Sequence, residues 1–504
     1  MASNPTRWWA LFALSLAMLT VGLDTTVLTV ALPTLAGDLS ASTAQLQWIT
    51  SAYTLVMAAA LLPGGAFGDR FGRKRLLLGA LIVFGLASIA CAYSGSAGAL
   101  IAARAGLGLA AAVMLPMSMA VVSVLFPDQA ERKKALAIWV TSMAIGLPLG
   151  PLLGGWLLDS FWWGSIFLIN VPLVALACIA VMALVPESNG ATGRRLDWWG
   201  IVFSSTGLAA LTYGVIRAGA DGWGDGVAWI AIGVSVAAST AFILWQRRAT
   251  DPLIDLSLFG SRGFTWGTTF ATAANFAMFG LFFAVPQYFQ AILGVDALGS
   301  GLRLLPLIGG LVVGTRVAEQ IGRKVGPGIV LCSGFGLLTA GLILGAGTTV
   351  ESGYPFTAVW ITVVGAGMGF VLPTAMNAAL DELPPERSGA GSALIQALRQ
   401  AGGTIGVAVL GTVLIAAYRD GLGQLAVPPL RDGVIQGIGA ATRTGRPQLI
   451  PSIAEAFVHG MSAMLWVCAA ICAAGAVLAL LRMPLRVQVT AGTTPTTGQS
   501  VHAA

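Results

Sequence analysis

From Trp8 to Leu32 the chain is apolar or small almost throughout, and Asp24 is the only charge in the stretch. About 20 such residues cross the hydrocarbon core of a bilayer as a helix. A helix also pairs its own backbone groups, which lipid cannot do. The pattern then repeats. Apolar runs bounded by charges or Gly/Pro clusters lie near 8–32, 45–66, 76–94, 98–121, 135–158, 163–184, 198–217, 227–245, 264–288, 299–319, 327–346, 355–378, 391–417 and 457–481. Fourteen candidate spans predict an all-α polytopic membrane protein. Only 10% of the residues are charged, against roughly 25% in soluble domains.

An even number of spans puts both termini on one side. With the N-terminus inside, that side holds eighteen of the 27 Lys and Arg residues, including Arg70, Arg73, Lys74, Arg75, Arg132, Lys133 and Lys134. The bias predicts cytoplasmic termini in an inner (cytoplasmic) membrane. It also explains the net charge of +6 without a nucleic-acid partner. The Thr/Gly/Ser-rich tail, 488–504, reads as disordered.

A carboxylate inside a span costs about 2.5–3.5 kcal/mol on insertion scales. Water, a partner cation or protonation must offset that cost for Asp24. Arg104, inside span 4, has the same difficulty and is the obvious partner. A carboxyl that can be charged or neutral within a membrane suits proton coupling. Span 5 carries Gly146, Pro148, Gly150, Pro151, Gly154 and Gly155, a composition that permits bending and close helix approach. Span 13 places a further cation, Arg399, at Arg399-Gln-Ala-Gly402-Gly403, equally suited to anchoring or to gating. Span 9 is aromatic, with Phe276, Phe279 and Phe283 ahead of Gln287. Such a stripe more often faces lipid or core than a ligand.

The segment after span 2 reads Gly65-Ala-Phe-Gly-Asp69-Arg70-Phe-Gly72-Arg73-Lys74, and its glycines predict a tight turn. Its echo after span 10 is Thr315-Arg-Val-Ala-Glu319-Gln-Ile-Gly322-Arg323-Lys324. The repeat predicts two related halves, 1–186 and 251–487, with an inserted pair of helices in 187–250. Repeat halves suggest alternating access to a site between them. No Gly-x-x-x-x-Gly-Lys-Ser/Thr phosphate loop is present, so no nucleotide engine is expected. Two histidines, His459 and His502, and five cysteines scattered in apolar spans give no metal or disulfide framework. No catalytic constellation is evident. A receptor or channel without coupled transport is the reading furthest from these features.

Four stretches together resemble the fourteen-helix drug:proton antiporters of the major facilitator superfamily. They are Gly22-Leu-Asp24-Thr-Thr-Val-Leu-Thr-Val-Ala-Leu-Pro33, Gly65 to Lys74, Arg104 to Ala112 and Gly146 to Gly155. Gln47-Trp48 with Tyr53, the run Ile169-Asn170-Val171-Pro172 and Asp255-Leu-Ser-Leu-Phe259 look familial too. The chain looks most like actinobacterial quinolone and dye efflux pumps.

The resemblance implies a monomeric multidrug efflux antiporter that confers antibiotic resistance. It would exchange protons for lipophilic, often cationic compounds, and need no cofactor beyond the proton. The same fold exporting an endogenous lipid, siderophore or metabolite is the alternative. Asp24 and Arg104 would couple protons. Gly65, Asp69, Arg70, Gly72 and Arg73, with Glu319, Arg323 and Arg399 in the second half, would gate the two states. The helix 5 glycines and prolines would allow sliding and limit leak. Trp48, Tyr53, Phe276, Phe279, Phe283 and Gln287 would meet the substrate. The chain departs from the pattern at Leu107, where the family has Gln, and at Trp163-Gly-Ser165. Glu319, near a span end, is the only acid of span 10, which speaks against dications.

Overall fold

The computed structural model describes residues 5–187, 197–254, 256–322, 324–383, 388–428 and 430–485. Among them there is no strand. The helices are α1 (Pro5–Asp38), α2 (Thr43–Phe71), α3 (Arg73–Ala92), α4 (Ala97–Leu125), α5 (Gln129–Ser160), α6 (Ser165–Leu168), α7 (Asn170–Leu184), α8 (Trp198–Asp221) and α9 (Gly226–Gln246). They continue with α10 (Arg262–Gln287), α11 (Ala297–Arg303), α12 (Leu305–Gly322), α13 (Pro327–Ala346), α14 (Tyr354–Leu380), α15 (Ser388–Leu422), α16 (Val434–Arg443) and α17 (Ile450–Arg482). Twelve helical stretches among the described residues are long and apolar enough to cross a membrane. The chain is a multi-pass membrane protein. Helices α2 and α5, of 29 and 32 residues, coincide with the remaining two candidate spans, so the arrangement is compatible with fourteen.

The ends of these helices are written locally. Ser96, Asp197, Asp225, Ser261 and Asp296 cap α4, α8, α9, α10 and α11 by accepting from first-turn amides. Pro327 and Pro355 sit in the first turn of α13 and α14. Three boundaries differ from expectation. Gly65–Phe71 is the last part of α2, not a turn, and the chain reverses at Gly72 alone, with φ 97°. That left-handed backbone is one that glycine adopts at no steric cost. Spans 6 and 10 are each broken into two helices, at Ile169 and at Leu304.

One set of pairings occurs twice. Helix α1 packs on α5 and α7, α2 on α4, and α3 on α4 and α7. In the same order, α10 packs on α15 and α17, α12 on α14, and α13 on α14 and α17. Between these groups, α2 meets α15, α5 meets α11, and α1 meets α10. The α8–α9 hairpin lies along that seam, with α8 on both α2 and α15.

Call the face where α1 begins and α17 ends the terminal face. Among the described residues, hydrogen bonds between the groups lie away from it. Gln290 donates to the Val30 carbonyl at 2.8 Å, Thr43 to the Asp432 carbonyl at 2.7 Å, and the Leu298 amide to Asp159 at 3.0 Å. Nearer the middle, Gln47 reaches the carbonyls of Val407 and Ala408, each at 3.3 Å, and Thr404 bonds Thr54 at 2.7 Å. Nearest the terminal face is Gln400 against the Met57 sulfur at 3.8 Å. The two groups are hydrogen-bonded to each other on the far face.

Candidate functional site

Asp24 lies midway along α1 and is completely buried. Helix α4 brings Arg104, 1% exposed, to it from across the bundle. One guanidinium nitrogen donates to Asp24 Oδ2 at 2.7 Å, and Arg104 Nε donates to the Ile49 carbonyl at 3.3 Å. The guanidinium carbon stands 4.5 Å from the centre of the Tyr53 ring and 6.0 Å from that of Phe167. Both distances fit cation–π contact. The second carboxylate oxygen is held as well. Asn170, the first residue of α7, donates to Oδ1 at 3.2 Å and lies 3.4 Å from the Ser88 hydroxyl. The break at Ile169 orients this asparagine, which sequence reasoning saw only as part of a familial run. A polar amide inside an apolar span was the signal available.

Beside the pair is a cavity of about 10 Å³, room for about one water. Thr25 and Thr29 of α1, Thr50, Tyr53 and Thr54 of α2, Arg104, and Phe279, Phe282 and Phe283 of α10 line it. The threonines Thr25 and Thr50 bond carbonyls one turn back in their own helices, at 2.7 and 3.0 Å. Each hydroxyl is thereby spent as a donor and retains acceptor capacity. The cavity wall joins both groups of helices, so any change in their separation changes its volume.

The span 5 glycines do two separate jobs. Gly146, Gly150 and Gly154 recur every four residues and face α1. A Cβ on Gly146 would stand 2.7 Å from the Leu23 nitrogen, and one on Gly154 2.8 Å from Val27 Cγ2. Gly22 of α1 faces Gly146 in return. Gly155 points the other way, across to α11, where a Cβ would stand 2.5 Å from Leu298 Cα. Gly301 meets the Pro151 carbonyl at the same crossing. The second group repeats the device: Gly402 faces Thr272, Gly403 faces Phe279 and Asn275, and Gly406 faces Phe276.

The other anticipated residues are spread more widely. Tyr53, Phe279 and Phe283 line the cavity. Phe276 is partly buried, and its carbonyl abuts Gly406. Gln287 bonds its own helix at the Phe283 carbonyl, 2.7 Å away. Trp48 sits instead in an open apolar groove with Tyr213, Ile230 and Val234 of the hairpin, its ring 6.3 Å from that of Tyr213. Glu319 pairs with Arg316 at 3.4 Å, both side chains more than half exposed. Exposed pairs contribute little. Arg73 opens α3. The surroundings of Gly65 and the side chains of Asp69, Arg70 and Pro148 lie outside those described, as does Arg323 entirely.

Among the described residues Arg399 has no acid beside it. Its guanidinium reaches Gln396 Oε1 at 3.1 Å and the Met376 sulfur at 3.9 Å. Its Nε is buried without a partner. The Asn275 side chain bonds its backbone carbonyl at 2.8 Å. Among the described residues no cluster of His, Cys, Asp and Glu could hold a metal.

Residues 14–407 match the Major Facilitator Superfamily. The chain is 33% identical over 415 residues to the tetracenomycin C resistance and export protein of Streptomyces glaucescens, covering 82% of this chain and 77% of that one. It is 31% identical over 474 residues to the multidrug efflux pump LfrA of Mycolicibacterium smegmatis, covering 91% and 93%. The puromycin resistance protein pur8 of Streptomyces alboniger is 32% identical over 450 residues, covering 87% and 88%. Among solved structures, a bacterial homolog of the human lysosomal transporter Spinster, inward-facing and unoccupied, aligns with TM-score 0.68 at 15% identity over 95% of this chain and 98% of that one. At that identity the likeness concerns the fold.

Proposed function

The chain belongs to the major facilitator superfamily and is a transport protein rather than an enzyme, and from that premise we propose that it is a proton-coupled multidrug efflux antiporter. It exports amphipathic aromatic compounds, dyes and quinolones among them, across the cytoplasmic membrane. Its terminal face is cytoplasmic, it works as a monomer, and it uses no nucleotide or cofactor. The resistance and export roles named for its relatives support this reading.

The single observation that carries it is the buried Asp24–Arg104 pair, whose arginine lines a cavity shared by both groups of helices. Asp24 charged makes an ion pair with Arg104. Asp24 protonated leaves Arg104 without a counter-charge and in need of water or another partner. The two protonation states thus favour different arrangements of α1 and α4. A proton and a drug that each prefer a different arrangement are coupled through it.

A 10 Å³ cavity is far below the roughly 300–1,000 Å³ of drug-sized sites. Binding therefore requires residues 1–186 and 251–487 to separate as two halves on the terminal face. The glycine crossing of α5 and α11, Gly155 on Leu298 and Gly301 on the Pro151 carbonyl, lies between the halves and gives that motion a smooth surface; the α1–α5 and α10–α15 glycine contacts hold each half together. The hydrogen bonds on the far face must break for release. Gly65, Asp69, Arg70, Gly72 and Arg73, with Glu319 and Arg323, bias the two states at the terminal face.

The test is purified protein in proteoliposomes enclosing a pH-sensitive dye. Adding ethidium to protein-containing vesicles with an imposed pH gradient should accelerate proton movement. Proton flux unchanged by any dye or quinolone, with ethidium uptake intact, would separate transport from protons and end the coupling claim.

A further inference from the structure

The middle of the membrane holds one acid and two arginines, and the imbalance has a chemical consequence. Of the 21 acidic residues, Asp24 is the one in the middle of a candidate span. Both of its oxygens are engaged, by Arg104 and by Asn170. It offers no free carboxylate to a cation in the cavity. Arg399 stands eight residues inside its span, and among the described residues its guanidinium bonds only the neutral Gln396 and Met376 side chains. A guanidinium at such depth ordinarily has a carboxylate, phosphate or water partner.

Its position is informative. Gly403, one turn further along α15, lies against Phe279, where a Cβ would stand 3.1 Å from the ring. Phe279 is part of the aromatic wall of the central cavity. Asn275, one turn before Phe279 on α10, fixes the backbone of Arg399. The guanidinium therefore sits about one helical turn toward the terminal face from the aromatic wall, on the side from which the proposed substrate enters. Met376 places it between α14, α10 and α15 rather than on the outer surface of the bundle.

We propose that Arg399 is a specificity-determining residue that binds the anionic group of an amphipathic aromatic substrate whose ring lies against Phe279. This rests on the drug-export reading and refines it. Among the expected substrates, a quinolone carries a ring carboxylate, whereas ethidium carries only positive charge. Carboxylate-bearing aromatics are the better ligands of this site. Threonine hydroxyls at Thr25, Thr29, Thr50 and Thr54 supply hydrogen bonds for the remaining polar atoms.

The experiment compares binding of norfloxacin and its ethyl ester, which differ in the carboxylate, to the full-length protein in phosphatidylcholine nanodiscs by ligand fluorescence. Wild type should prefer the acid by roughly tenfold, the size of one lost charged contact. Arg399→Gln should bring the ratio close to one, and Arg399→Lys should keep part of it. Equal binding of acid and ester by wild type overturns the proposal, as does a Gln variant that weakens both by the same factor. A preference that vanishes when phosphatidylglycerol replaces phosphatidylcholine assigns Arg399 to net-anionic lipid and also overturns it. If Arg399→Gln does not fold, the wild-type ratio and the Lys variant decide. Protonophore-sensitive ethidium export, measured alongside, reads the export proposal separately: export without an acid preference removes the Arg399 site alone.

Discussion

Arg104→Met, taken alone and together with Asp24→Asn, tests how the buried pair is held. The single change keeps volume and removes the charge, the 2.7 Å bond to Asp24, the bond to Ile49 and the contact with the Tyr53 ring. Asp24 remains, fully buried, with only Asn170 at 3.2 Å. Stranding one partner of a buried ion pair costs about 3–5 kcal/mol, and loss of the cation–π contact adds about 0.5–2 kcal/mol. Asp24→Asn/Arg104→Met removes the stranded charge. The neutral amide that replaces it still meets Asn170, so its residual cost is that of an imperfectly bonded polar group, about 1–3 kcal/mol. The double variant should therefore be more stable than Arg104→Met by about 2 kcal/mol. Thermal unfolding of the purified protein in one detergent, followed by intrinsic fluorescence, gives the order: wild type, double variant, single variant. A double variant that melts at or below Arg104→Met would refute the idea that an unpaired carboxylate is the main cost.

Other predictions concern the scaffold. Gly150→Ala should cost about 1–3 kcal/mol by overpacking and slow transport, because its Cβ would stand 2.9 Å from the Val27 backbone nitrogen, which cannot rotate away. Gly79→Ala, with open space around it, is the control and should be neutral or stabilising by up to about 1 kcal/mol; melting and ethidium export of both variants check this. Asp197 ties the start of α8 to Trp245 and Gln246 of α9, both at 2.6 Å, and to the Leu253 amide at 3.1 Å. Burial pushes its carboxyl up, but hydrogen bonds from Gly200, Trp245, Gln246 and Leu253 outweigh that and hold it below the usual range. The stability it contributes is therefore present above the ordinary carboxylate value near 3.9 and is lost as pH falls through the lower folded value. Wild type should melt above Asp197→Asn by a constant margin from about pH 5 to 7, and the margin should shrink below about pH 4.

Much of the fold is legible because lipid allows so few solutions. A charge-poor run must become a helix, and its ends fall where charges or capping residues begin. The pairing of Asp24 with Arg104 is legible for the same reason, since each is a charge that lipid cannot solvate. What escapes the sequence is mostly proximity. Gly22 carries no mark that it faces Gly146, and nothing in Gly155 says that it turns away from α1 toward Leu298. The cavity threonines are hidden because a hydroxyl bonded one turn back in its own helix is at home in any span. Trp48 and Tyr53 are five residues apart, a rotation that sends one to the cavity and the other to the hairpin groove. The segment Gly65–Phe71 shows the reverse: its glycines suggest a turn, yet it continues α2, and Gly72 takes the left-handed backbone.

The central claim is that Asp24 couples drug movement to protons. Ethidium efflux from energised cells expressing wild type, Asp24→Asn or empty vector, with and without a protonophore, tests it most directly. Protonophore-sensitive export by wild type and none by Asp24→Asn, at equal amounts in the membrane, is the predicted result. Uphill export by Asp24→Asn at the wild-type rate, still collapsed by the protonophore, would contradict the account and place the coupling carboxylate elsewhere.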